Sequence, residues 1–191
     1  LRQADFAFGT YRIKESACYK LMEDIVFSPN PNNDFRPYLK GESLPADASE
    51  EERAAALEYE FSEDLSAGLS NVAYVLDFFA AITVEANGVE INLNNHKIEQ
   101  SPEHRLQQRF FAHIELGDAP FAFHQGPKDF QGQGRSFTAP NGVLIRNGQL
   151  GRSRTTAGIH GNDAQNVIIE DVQFFDYEVA SIAINGGRNV I

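Results

Sequence analysis

Three stretches decide the fold: N-G-V-L-I-R-N-G-Q-L at Asn141–Leu150, Q-N-V-I-I-E-D-V-Q-F at Gln165–Phe174 and R-N-V-I at Arg188–Ile191. Val143, Val167 and Val190 occupy equivalent places in these runs, and the steps between them are 167 − 143 = 24 and 190 − 167 = 23. A fixed step of this size means that each repeat buries its apolar face only by stacking on the next. The sequence therefore predicts a single all-β domain over 1–191, a right-handed parallel β-helix in which each coil matches one repeat of about 23–24 residues.

Alternation within these runs separates side chains that face the core from side chains that face solvent. In the second run the predicted inward residues are Val167, Ile169, Val172 and Phe174, and the outward residues are Ile168, Glu170 and Gln173. Equivalent residues of neighbouring strands stack about 4.8 Å apart. We therefore expect columns of aliphatic side chains, each worth about 1.5–3 kcal/mol when fully buried.

Polar residues recur with the same step. Glu170 follows Arg146 by one repeat, which predicts opposite charges on neighbouring strands. The asparagines that recur after one repeat are Asn162 with Asn185 and Asn166 with Asn189. Stacked asparagines can bond amide to amide while satisfying the backbone of turns. We interpret both patterns as structural aids to register.

The N-terminal part predicts a first coil that is followed by an insertion. Alternating residues over 11–27 indicate two short strands, and the Pro- and Asn-rich run after them indicates a loop. Ser49 and Glu52 match a capping box, which predicts a helix from about Glu50 to Glu60. The interpretation is a loop and short helical insertion over 28–77.

Strand signals return at Phe78. The apolar residues expected on one face are Ile82, Val84, Val89, Ile91, Leu93 and Ile98. The separation of Val89 from Val143 (143 − 89 = 54) is slightly more than two coils. We therefore expect an intervening coil with its strand at Phe110–Leu116, inside a loop-rich insertion over 99–140.

Composition limits the partners. The 191 residues contain 16 Lys and Arg against 27 Asp and Glu, a formal net charge of −11 at pH 7. This charge disfavours phosphate backbones, so we expect no nucleic-acid partner. No apolar run reaches about 18 residues, so we expect no membrane span. The last coil seen in the sequence stops at Ile191, which predicts a domain incomplete at that end and association through its open edge.

The strings N-V-I-I-E-D-V-Q-F and S-I-A-I-N-G-G-R-N-V-I resemble the coil repeats of the pectate-lyase-like superfamily, the right-handed parallel β-helices of the pectin lyase fold. The likeness covers Phe78–Ile98 and Asn141–Ile191, and the N-terminal strands more loosely. It implies an extracellular or surface-exposed protein of a cell wall, appendage or virion, often acting on polysaccharides. Fold alone does not decide the chemistry.

Catalysis on acidic polysaccharides by this superfamily would need carboxylates that hold calcium and a basic residue that takes a proton, all on one sheet. The stretch richest in basic and acidic residues of this kind is G-R-S-R-T-T-A-G-I-H-G-N-D. The candidate catalytic residues are His160, Arg154, Asp163 and Asp176. If Ile159 points inward, the His160 imidazole points outward and reaches solvent. No calcium motif is present, so no cofactor is predicted, with calcium left open.

Aromatic residues near H-Q-G-P-K-D suggest a binding platform. Phe121, Phe123 and Phe130 flank this polar loop, and exposed rings there would stack against sugars or dock a protein. Arg152 is added as a polar member of the platform. The alternative is that the rings pack beneath the loop.

Two functions stay open at this stage. The first is a surface module that serves as a rigid scaffold and binds polysaccharide or neighbouring surface proteins. The second is a polysaccharide lyase, C5-epimerase or glycoside hydrolase. The sequence lacks paired aspartates on one strand, which disfavours an enzyme. Because a missing motif is weak evidence, the sequence does not decide between the two functions.

Overall fold

The computed structural model describes residues 1–35, 49–50, 78–108, 110–121, 138–153 and 157–191. The predicted helix from Glu50 to Glu60 lies outside these residues after its first position. The described part is mostly β-structure, as expected.

The strands are β1 Tyr11–Ile13, β2 Cys18–Lys20, β3 Ile25–Phe27, β4 Ala80–Val84, β5 Val89–Asn92, β6 Lys97–Gln100, β7 Ala112–Leu116, β8 Asn141–Ser153, β9 Ala157–Asn162, β10 Gln165–Tyr177, β11 Ala180–Asn185 and β12 Arg188–Val190. Within the described ranges, an α-helix, α1, spans Pro102–Gln107, and 3-10 turns span Gln3–Phe6 and Pro31–Asn33. Residues 11–27 thus contain three short strands where the sequence predicted two.

The strands form two parallel sheets. The five-stranded sheet has the order β1-β4-β7-β9-β11, and the seven-stranded sheet has the path β12-β10-β8-β5-β2, with β3 paired to β6 and β6 to β8. Every strand pairing in the described part is parallel. The chain passes from one sheet to the other and back, so each sheet gains neighbours from successive repeats.

The predicted valine column is confirmed by the strand register. Val143 pairs with Val167, and Val167 pairs with Val190. Val89 pairs directly with Val143, so the expectation of an intervening coil between them is wrong. The predicted strand at Phe110–Leu116 exists as β7, but β7 belongs to the five-stranded sheet between β4 and β9. Helix α1 and the segment after β7 therefore enlarge one repeat and do not add another.

Side chains from both sheets form one core. The six residues predicted on one face after Phe78 are all buried, as are Val143, Ile145 and Val167. Ile169, Val172 and Phe174 pack on this core but are only partly buried, because β12 covers just the first part of β10. The predicted inward face is therefore correct, with burial decreasing toward the last repeat.

Left-handed backbone recurs at fixed places in the repeat. Asn166 and Asn189 have φ values of 52° and 53°, and Gly142, one repeat before Asn166, has 75°. Asn147 and Asp171, also one repeat apart, have 60° and 52°. Gly, Asn and Asp adopt this conformation most readily. These positions bend the chain inside and between the long strands.

The predicted asparagine ladders are confirmed. Asn185 Nδ2 donates to Asn162 Oδ1 at 3.1 Å, and Asn189 Nδ2 donates to Asn166 Oδ1 at 2.9 Å. Asn166 Nδ2 in turn donates to Asn141 Oδ1 at 2.7 Å. Each amide thus links neighbouring strands.

The predicted opposite charges of Arg146 and Glu170 on neighbouring strands are confirmed, and Arg146 has a closer partner as well. Arg146 lies opposite Glu170 in the register, but its guanidinium binds Glu90 on the other side. Arg146 Nη2 and Nε donate to Glu90 Oε1 at 2.7 Å and 2.9 Å. The arginine therefore links β8 to β5.

Candidate functional site

A small pocket lies beside the five-stranded sheet where β7 and β9 are neighbours. Ile114 and Ile159 point into the core, so the next residue along each strand, Glu115 and His160, points to the opposite face. The pocket has a volume of about 40 Å³. Its lining consists of Phe79, Phe110, Phe111, Ala112, Glu115, Pro120, Phe121 and His160. The described lining is thus aromatic and apolar except for one carboxylate and one imidazole.

Glu115 and His160 form a buried pair. They lie opposite each other in the register of β7 and β9, and His160 Nδ1 is 2.9 Å from Glu115 Oε1 and 2.7 Å from Oε2. Glu115 is 1% exposed and His160 is 7% exposed. Because the carboxylate engages Nδ1, Nε2 is the ring nitrogen left for a ligand.

Burial and the mutual contact set the charges of this pair. Burial raises the pKa of Glu115, while the hydrogen bond and charge of His160 oppose the rise. Burial by itself lowers the pKa of His160, but the hydrogen bond and the charge of Glu115 outweigh it and the pKa is raised. Burial thus favours the neutral form of Glu115, while the contact with Glu115 favours the charged form of His160.

Two rings form part of the pocket wall. The centroids of Phe110 and Phe121 are 5.5 Å apart, and the rings are inclined at 74°. Phe110 is 37% exposed. Edge-to-face aromatic pairs are stabilising and present a rigid apolar surface. A ligand that reaches the pocket therefore meets rings beside the buried charge pair.

A second buried polar contact lies near this pair on β7. His113 is completely buried, and its Nδ1 is 3.1 Å from the Tyr177 hydroxyl. Burial lowers the pKa of His113 to about 3, against a smaller opposing effect of a backbone hydrogen bond to Gly151. A Cβ on Gly158 would lie 2.7 Å from the Tyr177 hydroxyl oxygen. Gly158 therefore leaves room for this contact, which holds a neutral imidazole in place.

The structure brings two of the predicted site residues together. His160 and Phe121 line the same pocket. His160 points away from the core as the sequence predicted, but only 7% of it is exposed, because Pro120 and the aromatic residues lie around it. Asp163 lies in the exposed turn after β9 with a φ of 57°. Arg154 lies outside the described residues, as do Phe123 and Phe130.

Arg152 and Asp176 are near each other, but on the other sheet. They are neighbouring positions of β8 and β10, since Gly151 pairs with Phe175 and Ser153 with Tyr177. Arg152 Nη1 lies 3.5 Å from Glu99 Oε2. The predicted catalytic set thus divides between two surfaces.

Sequence reasoning missed Glu115. Alternation in F-F-A-H-I-E-L did place Glu115 on the face opposite the core. Its separation from His160 along the chain (160 − 115 = 45) includes the insertion between β7 and β8. The repeat spacing therefore gave no reason to pair the two.

A scan against protein-family models, a search of curated proteins and a search of solved structures each give no match to this chain. Within the described ranges, no three His, Cys, Asp or Glu side chains are grouped so that they could hold a metal ion. In the same part of the chain, we find no helix with the length and apolar character needed to cross a membrane.

Proposed function

We propose that the protein is an extracellular or surface-exposed module that binds glycan through the Glu115–His160 pocket on a right-handed parallel β-helix of the pectate-lyase-like type. The observation that carries this proposal is the shared location of an anchored imidazole and aromatic rings. The parallel sheets, with valines paired in register from one repeat to the next, support the fold.

A glycan fits the chemistry of this pocket. Sugar rings have apolar C–H faces that pack on aromatic rings, and hydroxyl groups at their edges that need hydrogen-bond partners. Phe110 and Phe121 provide the first kind of surface, and His160 provides a polar group whose orientation Glu115 fixes. Because Glu115 occupies Nδ1, binding requires no rearrangement of the imidazole.

The scaffold role also includes contacts with neighbouring surface proteins. Val179, Ile182 and Val190 are exposed apolar residues in the last strands and the turn before them. Exposed apolar side chains favour association. We propose polysaccharide as the ligand of the pocket and surface proteins as partners of these residues.

Binding to a panel of neutral and acidic oligosaccharides, measured by titration calorimetry, tests the glycan proposal. We expect at least one oligosaccharide to bind, and Phe121→Ala to weaken it about tenfold or more, the size of one lost aromatic contact. Ile168→Ala is the matched control, because Ile168 is an exposed apolar residue of the seven-stranded sheet. Equal affinities of the wild type and both variants would contradict a site at this pocket.

The second candidate function is a polysaccharide lyase, epimerase or hydrolase, and the Glu115–His160 pair is the observation that favours it. A carboxylate that orients an imidazole is a common arrangement for proton transfer. Incubation with alginate or pectate and calcium, followed by absorbance of unsaturated uronates, tests lyase activity. Activity that His160→Gln abolishes would support an enzyme, and glycan binding without turnover of any substrate would support the scaffold.

A further inference from the structure

The pocket has the size of a small substituent. Its volume of about 40 Å³ is far below that of a sugar ring site, since ligand pockets typically have roughly 300–1,000 Å³. One water needs roughly 10–15 Å³ of such space. The pocket therefore admits a group of a few heavy atoms, while the rest of a ligand stays outside it.

The chemistry of the lining restricts that group further. Six of the eight described lining residues are phenylalanine, alanine or proline, and none of the eight is Lys or Arg. Among the eight described residues, His160 is the one group that can carry a positive charge, and it is already paired with Glu115. A carboxylate in the pocket would therefore face the Glu115 carboxylate in a protein of net charge −11. Burial of an unpaired charge is strongly unfavourable. An uncharged group with an apolar end is therefore favoured over a uronate carboxylate.

The imidazole adds one polar requirement. With Nδ1 held by Glu115 at 2.7 Å, Nε2 can form one hydrogen bond with a group in the pocket. An apolar methyl together with a carbonyl or an N–H one or two bonds away satisfies both the rings and the imidazole. An acetamido group has this composition in only a few heavy atoms.

We propose that the pocket recognises the acetamido group of an N-acetylated sugar, with the methyl among Phe79, Phe111 and Phe121 and the amide hydrogen-bonded to His160. This inference rests on the proposed glycan binding and specifies its ligand class. The sugar ring then stacks outside on Phe110. The pocket recognises two features of the ligand, the length of its acyl chain and its amide.

The test compares chitotetraose with cellotetraose, which differ only by acetamido in place of hydroxyl at each C2. Titration calorimetry at pH 7 should show chitotetraose binding about 10- to 30-fold more tightly, as expected for one buried methyl group and one hydrogen bond. An N-butanoyl analogue of chitotetraose should lose this advantage, because its chain exceeds the pocket. Equal binding of the N-acetyl and N-butanoyl compounds would overturn the proposal.

A variant can remove the polar recognition without leaving one partner unpaired. Replacing both members of a buried pair by apolar residues is often neutral for stability, so we choose the double variant Glu115→Leu/His160→Phe. It should keep only the smaller preference for chitotetraose that the buried methyl group provides, about fourfold, and its unfolding by urea confirms that it is folded. A preference for chitotetraose that survives at full size in the folded double variant would overturn the role of His160.

The outcomes separate this inference from the proposed function. Tight binding of cellotetraose or of an acidic oligosaccharide, with no preference for chitotetraose, would overturn the acetamido inference and leave glycan binding supported. Absence of binding to every oligosaccharide tested would overturn both.

Discussion

The outer faces of the two sheets differ in how far their charged residues are exposed to solvent. On the seven-stranded sheet, the side chains of Arg146 and Glu90 are 35% and 28% exposed. On the five-stranded sheet, Glu115 and His160 form an equally short contact but are almost completely buried. Strand alternation places all four residues away from the core. The burial of a sheet face, and not the alternation of its strands, therefore decides whether a charged pair on that face is shielded from water.

Burial changes what the same kind of contact does to its members. The hydrogen bond with Arg146 lowers the pKa of Glu90, because desolvation of this exposed carboxylate is a smaller effect. Burial raises the pKa of Glu115 in spite of its contact with His160. The contact therefore favours the anionic form of Glu90, whereas burial favours the neutral form of Glu115.

The largest expected effect comes from removing one member of the buried pair. Glu115→Ala leaves the His160 imidazole buried without its partner, which should lower the free energy of unfolding by roughly 3–5 kcal/mol. Urea unfolding at pH 7 measures this change. The double variant Glu115→Leu/His160→Phe is the control and should lose much less. A small loss in Glu115→Ala would show that the five-stranded face is solvated like the other one.

A smaller effect is expected from the pH dependence of His113. Its folded pKa of about 3 lies below the ordinary value of 6.5, so the unfolded chain takes up the proton first. The free energy of unfolding is therefore unaffected by this titration above about pH 6.5, and it decreases as the pH falls from there toward 3. Between pH 6 and 5 the wild type should lose about 1 kcal/mol more than His113→Gln does.

The measurement is the free energy of unfolding in urea at several pH values for both proteins. Taking the difference between them cancels the titration of Glu115, His160 and every other group that both proteins contain. Parallel pH profiles would contradict a neutral His113 on the covered face.

The smallest effect is expected on the exposed face. Glu90→Ala removes the carboxylate that Arg146 binds at 2.7 Å, yet both groups remain in contact with water. Exposed ion pairs contribute little and are screened by salt. The urea midpoint should change only slightly at low salt and should match that of the wild type at high salt. A large loss that persists at high salt would mean that this face is also covered.

The repetitive part of the fold was predictable from the sequence, because stacking of the repeats brings residues one repeat apart next to each other. Val143, Val167 and Val190 gave the register, and the recurring asparagines gave their ladders. Both features depend only on residues one repeat apart.

The candidate site was readable only in part. His160 and Phe121 lie in separate stretches, and no pattern in the sequence joins them. Their meeting depends on Glu115 and Pro120, which lie close to the point where an insertion interrupts the repeat. The partner of Arg146 was also missed, because a long side chain reaches a neighbour on either side and sequence spacing does not choose between them.

The left-handed bends have a consequence for how such a chain can change in length. Gly142, Asn166 and Asn189 are one repeat apart, and all three have a left-handed backbone. A residue with a branched β-carbon would be strained in this conformation. Duplication of a whole repeat would preserve both the left-handed positions and the alternation of the strands, so every left-handed residue would again lie next to another one. A single inserted residue inside a strand would instead turn core side chains outward and move a bulky residue onto a bend. Growth by complete units is therefore tolerated, whereas growth by single residues is confined to the segments between the sheets.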